Sequence, residues 1–348
     1  MDKSFLKSLL TAPSPSGYEG SASNEFYDQM HRVANIVRRD NAGNMVFVMG
    51  NPKAKAKIML SAHIDEISLQ IQNIDDNGFL HFVKNGGIDQ KVLPGSQVKI
   101  FSARGVVDGV IGKTPMHLEK GEERGKVLEL KDLKIDIGAE TKKEAASRVS
   151  IGDVAVVHCN PIDLTPNRIA GRGLDDKAGI FVIAEVAAML AKEDLSNICV
   201  YFVACTQEET TATGAIVAAA AIDPTYSIDF DVTFATDDGC VNADEWGDIK
   251  LGKGGAIAHG VNNHPYLTNL IKQVCNDNNI PYQEFVAPDG GTDTVYIRQA
   301  SSDCMTQLLS IPNRNMHTQV EVCDYRDLES LISMTAKTVL ALDKINSV

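Results

Sequence analysis

From residue 164 onward the chain alternates short apolar runs with helix-length stretches, and no other feature constrains the fold as much. Helices are predicted at 176–192, 213–222, 265–278, 292–300 and 325–344, with strands between them at 198–204, 230–236, 282–286 and 305–310. Strands alternating with helices of this length build a mainly parallel sheet with helices on both faces. The first part fits the same domain: an amphipathic helix at 2–11, a Pro/Gly/Ser loop, a helix at 20–33, and strands at 35–40, 45–49 and 57–62. Between about 67 and 162 the texture changes. Short alternating segments at 79–83, 97–101, 105–112, 127–130 and 153–158 are separated by glycines, with a helical stretch only near 141–148. That pattern reads as an all-β module. The expected architecture is an α/β domain of residues 1–66 plus 163–348, interrupted by a β-rich insert at 67–162.

Composition narrows the function. A chain of 348 residues, 44% hydrophobic, has ample core for about two domains. Its formal net charge of -13 repels phosphate backbones and anionic lipid, so neither nucleic acid nor a membrane is expected as a partner. The N-terminal ten residues lack the apolar core of a secretory signal, and apolar runs such as 215–222 are too short to span a bilayer. Seven cysteines without a C-x-x-C pair read as reduced thiols, some of them in apolar contexts such as Cys199 and Cys205. A cytoplasmic protein is expected.

Five short segments concentrate metal-ligand chemistry. In Ala62-His63-Ile64-Asp65-Glu66, at a strand end, His63 and Asp65 share a face, so the carboxylate can orient the imidazole. Gly171-Arg172-Gly173-Leu174-Asp175-Asp176 delivers two carboxylates where a helix begins, a position that capping alone can explain. Cys205-Thr206-Gln207-Glu208-Glu209 follows a buried strand; one glutamate can bind a metal while its neighbour stays free as general base. Ala235-Thr236-Asp237-Asp238 also follows a strand, and alone would pass for a polar turn. In Ile311-Pro312-Asn313-Arg314-Asn315-Met316-His317, a histidine sits in a loop after a strand. Each segment alone has an ordinary structural explanation, and the set carries the argument. Four segments follow strand-like runs and Asp175 opens a helix. In open α/β sheets ligands bind in the crevice beyond the strand ends. Two histidines and three or four carboxylates converging there suit zinc, cobalt or manganese, and a shared carboxylate can hold two ions ~3.5–4 Å apart. The other histidines (His31, His81, His117, His158, His259, His264) lack carboxylate company and are read as structural.

In order along the chain, Pro15-Ser16-Gly17-Tyr18-Glu19, AHIDE, GVIG at 109–112, GRGLDDKAG, TQEET, DVTFATDD, IKLGKGGAI at 249–257, GGTDT at 290–294 and IPNRNMHTQVEV resemble the glutamyl-aminopeptidase family of tetrahedral metallo-aminopeptidases, also called cellulase-M-like. The resemblance implies a zinc-exopeptidase-like α/β domain with a PDZ-like insert that builds dimers and then a hollow dodecamer. It implies two divalent ions per subunit, zinc first, with cobalt or manganese as alternatives. His63 and Asp237 would hold one ion, Glu209 and His317 the other, and Asp175 would bridge them. Glu208 would be the general base and Asp65 the residue orienting His63. The chain departs from the family's usual pattern at Thr210–Thr213, at Asp238-Gly239 and at Lys177, which leaves the proposed ligands intact and bears on pocket shape.

The implied activity is removal of N-terminal residues from peptide substrates, through a hydroxide bridging the ions and Glu208 as base. Lys253, Arg298 and Arg314 are the cations that could read an acidic substrate side chain. A glycoside hydrolase is the rival enzyme, because paired carboxylates also serve that chemistry. A His/Asp/Glu ligand set has no role there, and a single tryptophan, Trp246, offers little for sugar stacking. A catalytically inactive peptide-binding or assembly protein is the non-enzymatic alternative, and the full ligand set argues against it.

Overall fold

The computed structural model describes residues 1–34, 36–118, 127–287 and 291–347. Asn35 of the predicted strand 35–40, part of the insert (119–126) and Gly290 of the GGTDT segment lie outside the described residues. An eight-stranded sheet forms the frame. Its order across the sheet is Ile36–Arg39, Met45–Gly50, Ile198–Cys205, Ala56–His63, Tyr226–Phe234, Met305–Asn313, Gly255–His259, Tyr282–Val286. The middle strands run parallel, from Ile198–Cys205 through Ala56–His63 and Tyr226–Phe234 to Met305–Asn313. Towards both edges the pairing turns antiparallel, with the outermost pair Gly255–His259 and Tyr282–Val286 parallel again. The sheet is therefore mixed: the expected parallel run is its centre, and antiparallel partners widen it on both sides.

The central strands are buried along almost their whole length (AKIMLSAH, ICVYFVAC), as covering on both faces requires. One face carries the helix Leu174–Leu190, hemmed in by the N-terminal helices and by Tyr325–Ile345. Burial on nearly every side explains why its sequence, IFVIAEVAAML, lacks an amphipathic stripe. The opposite face is covered by the helices Thr213–Ile222 and Asp293–Ala300, where Ala215, Ala218, Ile222 and Ile297 pack on Met59 and Val203.

The insert is a closed antiparallel barrel, in the order Ser68–Ile74, Leu80–Asn85, Ile135–Asp136, Gly105–Ile111, Gln97–Ser102, Val154–Val157. Closure leaves no free edge. Alternating residues such as Leu69, Ile71, Val98, Ile100 and Ala155 fill a core separate from that of the α/β domain. The predicted strand at 127–130 is not formed. A short 3-10 turn, Leu130–Asp132, stands at its end, with the Glu129 N–H donating to the Asp132 carboxylate at 3.3 Å.

A small three-stranded sheet, absent from the expectation, joins Ile162–Thr165, Arg168–Gly171 and Glu321–Asp324. It pairs Gly171 with Glu321 and so brings the Asp175 segment beside the His317 loop. Each strand has four residues, and the last is drawn from 150 to 156 positions beyond its partner (Gly171 with Glu321, Arg168 with Asp324), so no local pattern announces the sheet.

Candidate metal centre

His63 is the last residue of the strand Ala56–His63 and is 2% exposed. Its Nδ1–H donates to the Asp65 carbonyl at 3.2 Å, so in the neutral ring Nε2 carries the lone pair. That lone pair faces Asp175 Oδ1 at 3.0 Å, with Asp231 Oδ1 at 3.9 Å and Glu208 Oε2 at 4.0 Å. His317 repeats the arrangement. Its Nδ1–H donates to the Gly87 carbonyl at 3.1 Å, while Nε2 stands 3.3 Å from Asp175 Oδ2 and 3.5 Å from Glu209 Oε2. Two acceptors in such contact need a proton or a cation between them. Ligand atoms sharing one tetrahedral zinc stand about 3.3–3.6 Å apart, since each lies ~2.0–2.2 Å from the ion. Among the described residues, His63, Asp175 and Glu209 offer ligand atoms all within 4.8 Å of one another. The residues present therefore fit divalent ions, with the two oxygens of Asp175 facing one histidine each.

Electrostatics point the same way. Four carboxylates (Asp175, Glu208, Glu209, Asp231) crowd two imidazoles, so negative charge is in surplus. Burial, followed by the charge of Asp175, raises Glu209 and Asp231 well above the ordinary carboxylate range. Burial would lower His63, but bonds to Asp175 and Asp65 outweigh it and raise it. Asp175 is lowered: its burial is overcome by bonds to His317 and His63. Ions of charge +2 would offset the surplus that protons otherwise share.

The glutamate pair sits on a turn after the strand Ile198–Cys205, entered through Gln207 in the left-handed region (φ 62). Asp65 holds this turn. Its two carboxylate oxygens accept the Glu208 N–H at 3.0 Å and the Glu209 N–H at 3.1 Å, and Oδ1 is 3.6 Å from His63 Nδ1. Asp65 thus touches three functional residues, where the sequence suggested one. Burial, chiefly, pushes Glu208 up to about 7, the range in which a carboxylate exchanges protons near neutral pH.

Asp237 corrects the sequence-based expectation. The structure does not bring it to this cluster: its Oδ1 and Oδ2 accept from Arg314 Nε and Nη2, each at 2.8 Å. Asp231 is the carboxylate beside His63. The parallel register sets Asp229 opposite Ser61, whose hydroxyl donates to it at 2.6 Å, and two residues further Asp231 draws level with His63. Asp237 lies three positions beyond the end of the strand at Phe234. A signal existed in the sequence: Asp229 and Asp231 put two carboxylates on one face of an otherwise apolar strand.

Two further supports had no sequence signal of their own. The buried Glu321 accepts the Asp175 N–H and the His317 N–H, each at 3.0 Å, and so ties together the two segments that leave one end of the small sheet. Gly87, from the barrel, reaches His317, and a Cβ there would come within 2.8 Å of the ring Nδ1, so only glycine allows this approach. Behind the site, the buried Lys177 bonds Glu66 Oε1 at 2.9 Å and the Ala12 carbonyl at 2.8 Å, and Arg172 pairs with Glu66 Oε2.

Asp175, Glu208, Glu209, Asp231 and His317 line a cavity of about 570 Å³ that also reaches Phe234, Trp246, Phe285 and Tyr296. Among the described residues no helix is long and apolar enough to cross a membrane.

Comparison with known proteins agrees with the site. Residues 43–334 match the family model described as M42 glutamyl aminopeptidase. The chain is 33% identical to the lysyl aminopeptidase of Pyrococcus furiosus, over 98% of this chain and 97% of that one. Among solved structures, an aminopeptidase from the archaeon Desulfurococcus kamchatkensis superposes with a TM-score of 0.89 at 34% identity, covering 97% of this chain and 93% of that one. The TET1 peptidase of Pyrococcus horikoshii, described as assembling into a tetrahedron or a large octahedral shell, superposes at 0.86 with 33% identity, over 96% and 98% of the two chains. Matched along most of its length by both sequence and fold, the chain belongs to the M42 glutamyl aminopeptidase family.

Proposed function

We propose that this aminopeptidase removes N-terminal residues with two divalent ions, zinc first and cobalt or manganese as alternatives, held by His63, Asp231, Asp175, Glu209 and His317. His63 and Asp231 would hold one ion, Glu209 and His317 the other, with Asp175 between them. The observation that carries this reading is the pair of histidine Nε2 lone pairs aimed at the two oxygens of one buried aspartate.

When bound, the ions supply Lewis acidity, which acidifies water and polarises the scissile carbonyl. The chain's own residues do the rest. Glu208, raised by burial, takes a proton from the attacking water and passes it to the departing amine nitrogen. Asp65 fixes the backbone of Glu208, so the base keeps its aim through both transfers. Glu321 fixes Asp175 and His317 through their amides.

A digest of one peptide in free and N-acetylated forms tests the exopeptidase reading. The free form should shorten stepwise from its N-terminus, and a chelator should stop it. Internal cleavage of either form, or cleavage undiminished by the chelator, contradicts the proposal.

The barrel, residues 67–162 as a unit, is proposed as a PDZ-like module that builds dimers and then a dodecamer, supported by the named assembly of the horikoshii relative. Light scattering should give the mass of twelve chains, and a lone chain at micromolar concentration contradicts this. Seven free cysteines support a cytoplasmic setting.

A further inference from the structure

Beyond the carboxylates and His317, the described walls of the active-site cavity carry no charged side chain. Their large side chains are Phe234, Trp246, Phe285, Val286, Tyr296 and Met316, with threonines between them. Phe234 and Trp246 meet edge to face, ring centroids 5.1 Å apart at 78°, and are 37% and 48% exposed. Large aromatic rings left open inside a catalytic cleft are a surface waiting to be covered.

The cations that could have read an acidic substrate side chain are not available there. Arg314 is engaged by both oxygens of Asp237, and Arg298 donates to the Val261 carbonyl. Lys253 is not among the residues lining the cavity. The carboxylates of the cleft belong to the ion and base set, so no spare anion waits for a lysine side chain among the described residues. Among the described residues a charged side chain entering this cleft meets no spare partner to repay its lost water, whereas an aliphatic or aromatic one would cover exposed rings.

We infer that the enzyme selects peptides whose N-terminal residue is large and apolar (leucine, methionine, phenylalanine), through an aromatic wall made by Phe234 and Trp246. This rests on the aminopeptidase reading above, and makes Trp246 a specificity residue rather than a catalytic one.

Trp246 is the chain's single tryptophan, so its emission reports on this wall alone. Two measurements on the zinc-loaded protein test the inference. In the first, kcat/KM is compared across leucyl-, methionyl-, phenylalanyl-, glutamyl- and lysyl-anilides. The apolar substrates should lead by about 10- to 100-fold, the usual range for filling an apolar pocket. Trp246→Ala should raise KM for the leucyl substrate by about 10-fold with kcat little changed, and Trp246→Phe should restore it. In the second, free leucine or phenylalanine should shift the tryptophan emission with saturation, while glutamate and lysine should not.

A preference for the glutamyl or lysyl substrate overturns the inference. So does a Trp246→Ala protein whose losses are equal for all five. If no anilide is cleaved by the zinc-loaded protein, the aminopeptidase reading fails instead. The emission titration still judges the wall: no response to leucine and phenylalanine overturns it, and a selective response upholds an apolar-ligand cleft.

Discussion

Glu208→Gln is expected to keep both ions and near-normal substrate affinity while kcat falls by about two to four orders of magnitude, the range for loss of a general base. Glutamine preserves the shape of the side chain and the backbone bond to Asp65, 3.0 Å from the Glu208 N–H, but accepts no proton. Its neighbour should fail differently. Glu209 Oε2 stands 3.5 Å from His317 Nε2, among the atoms assigned to one ion. Glu209→Gln removes an anionic oxygen from that shell, so one ion should bind far more weakly. Thermal stability should fall with it, because an ion that binds only the native state stabilises by mass action. Metal analysis beside steady-state kinetics on both proteins separates the two roles. Loss of an ion from Glu208→Gln, with two retained in Glu209→Gln, would reverse the assignment.

The second large effect separates two aspartates only six residues apart. Asp231→Asn should weaken binding of one ion by at least about 100-fold, since even partners behind the ligands are worth 10–100-fold. Hydrolysis should fall with the lost ion. Asp237→Asn should leave metal content unchanged. It breaks a two-pronged bond to Arg314 and should lower stability by about 1–3 kcal/mol, typical of hydrogen bonds between charged groups. Metal-binding titrations and thermal melts on both variants decide the matter. An Asp237→Asn protein that loses an ion while Asp231→Asn keeps two would return Asp237 to the centre.

That pair also shows where the sequence stops being legible. The sequence pattern places the strand at 230–236, and the structure runs it from Tyr226 to Phe234. A late boundary makes Asp237 look like the residue at the strand's end and hides Asp231 inside it. Strand ends are set by pairing with neighbours, here with Ala56–His63 and Met305–Asn313, and these contacts are invisible locally. The helices at 213–222 and 265–278 were legible because their composition and caps act within a few residues; His264, for instance, accepts the Tyr266 N–H. The barrel was legible as β texture, yet Ser68–Ile74 and the two-residue strand Ile135–Asp136 were not. The convergence of His63, Asp175, Glu209 and His317 was anticipated by residue type and by position after strands. The supports that aim them were not. Asp65 reads as a partner of one histidine, and Glu321 and Gly87 give no sign, because each meets a group more than 140 positions away in the chain: the Glu208 and Glu209 amides, the Asp175 amide and the His317 ring.

The cluster around Asp175 is proposed to work only with its ions. Stepwise addition of zinc to chelator-stripped protein, with leucyl-anilide turnover and bound zinc measured at each step, tests it most directly. Turnover should be negligible in the stripped protein and reach its full value as the second equivalent per chain binds. Full turnover without metal, or zinc binding at two equivalents with no hydrolysis of any aminoacyl-anilide, would contradict it.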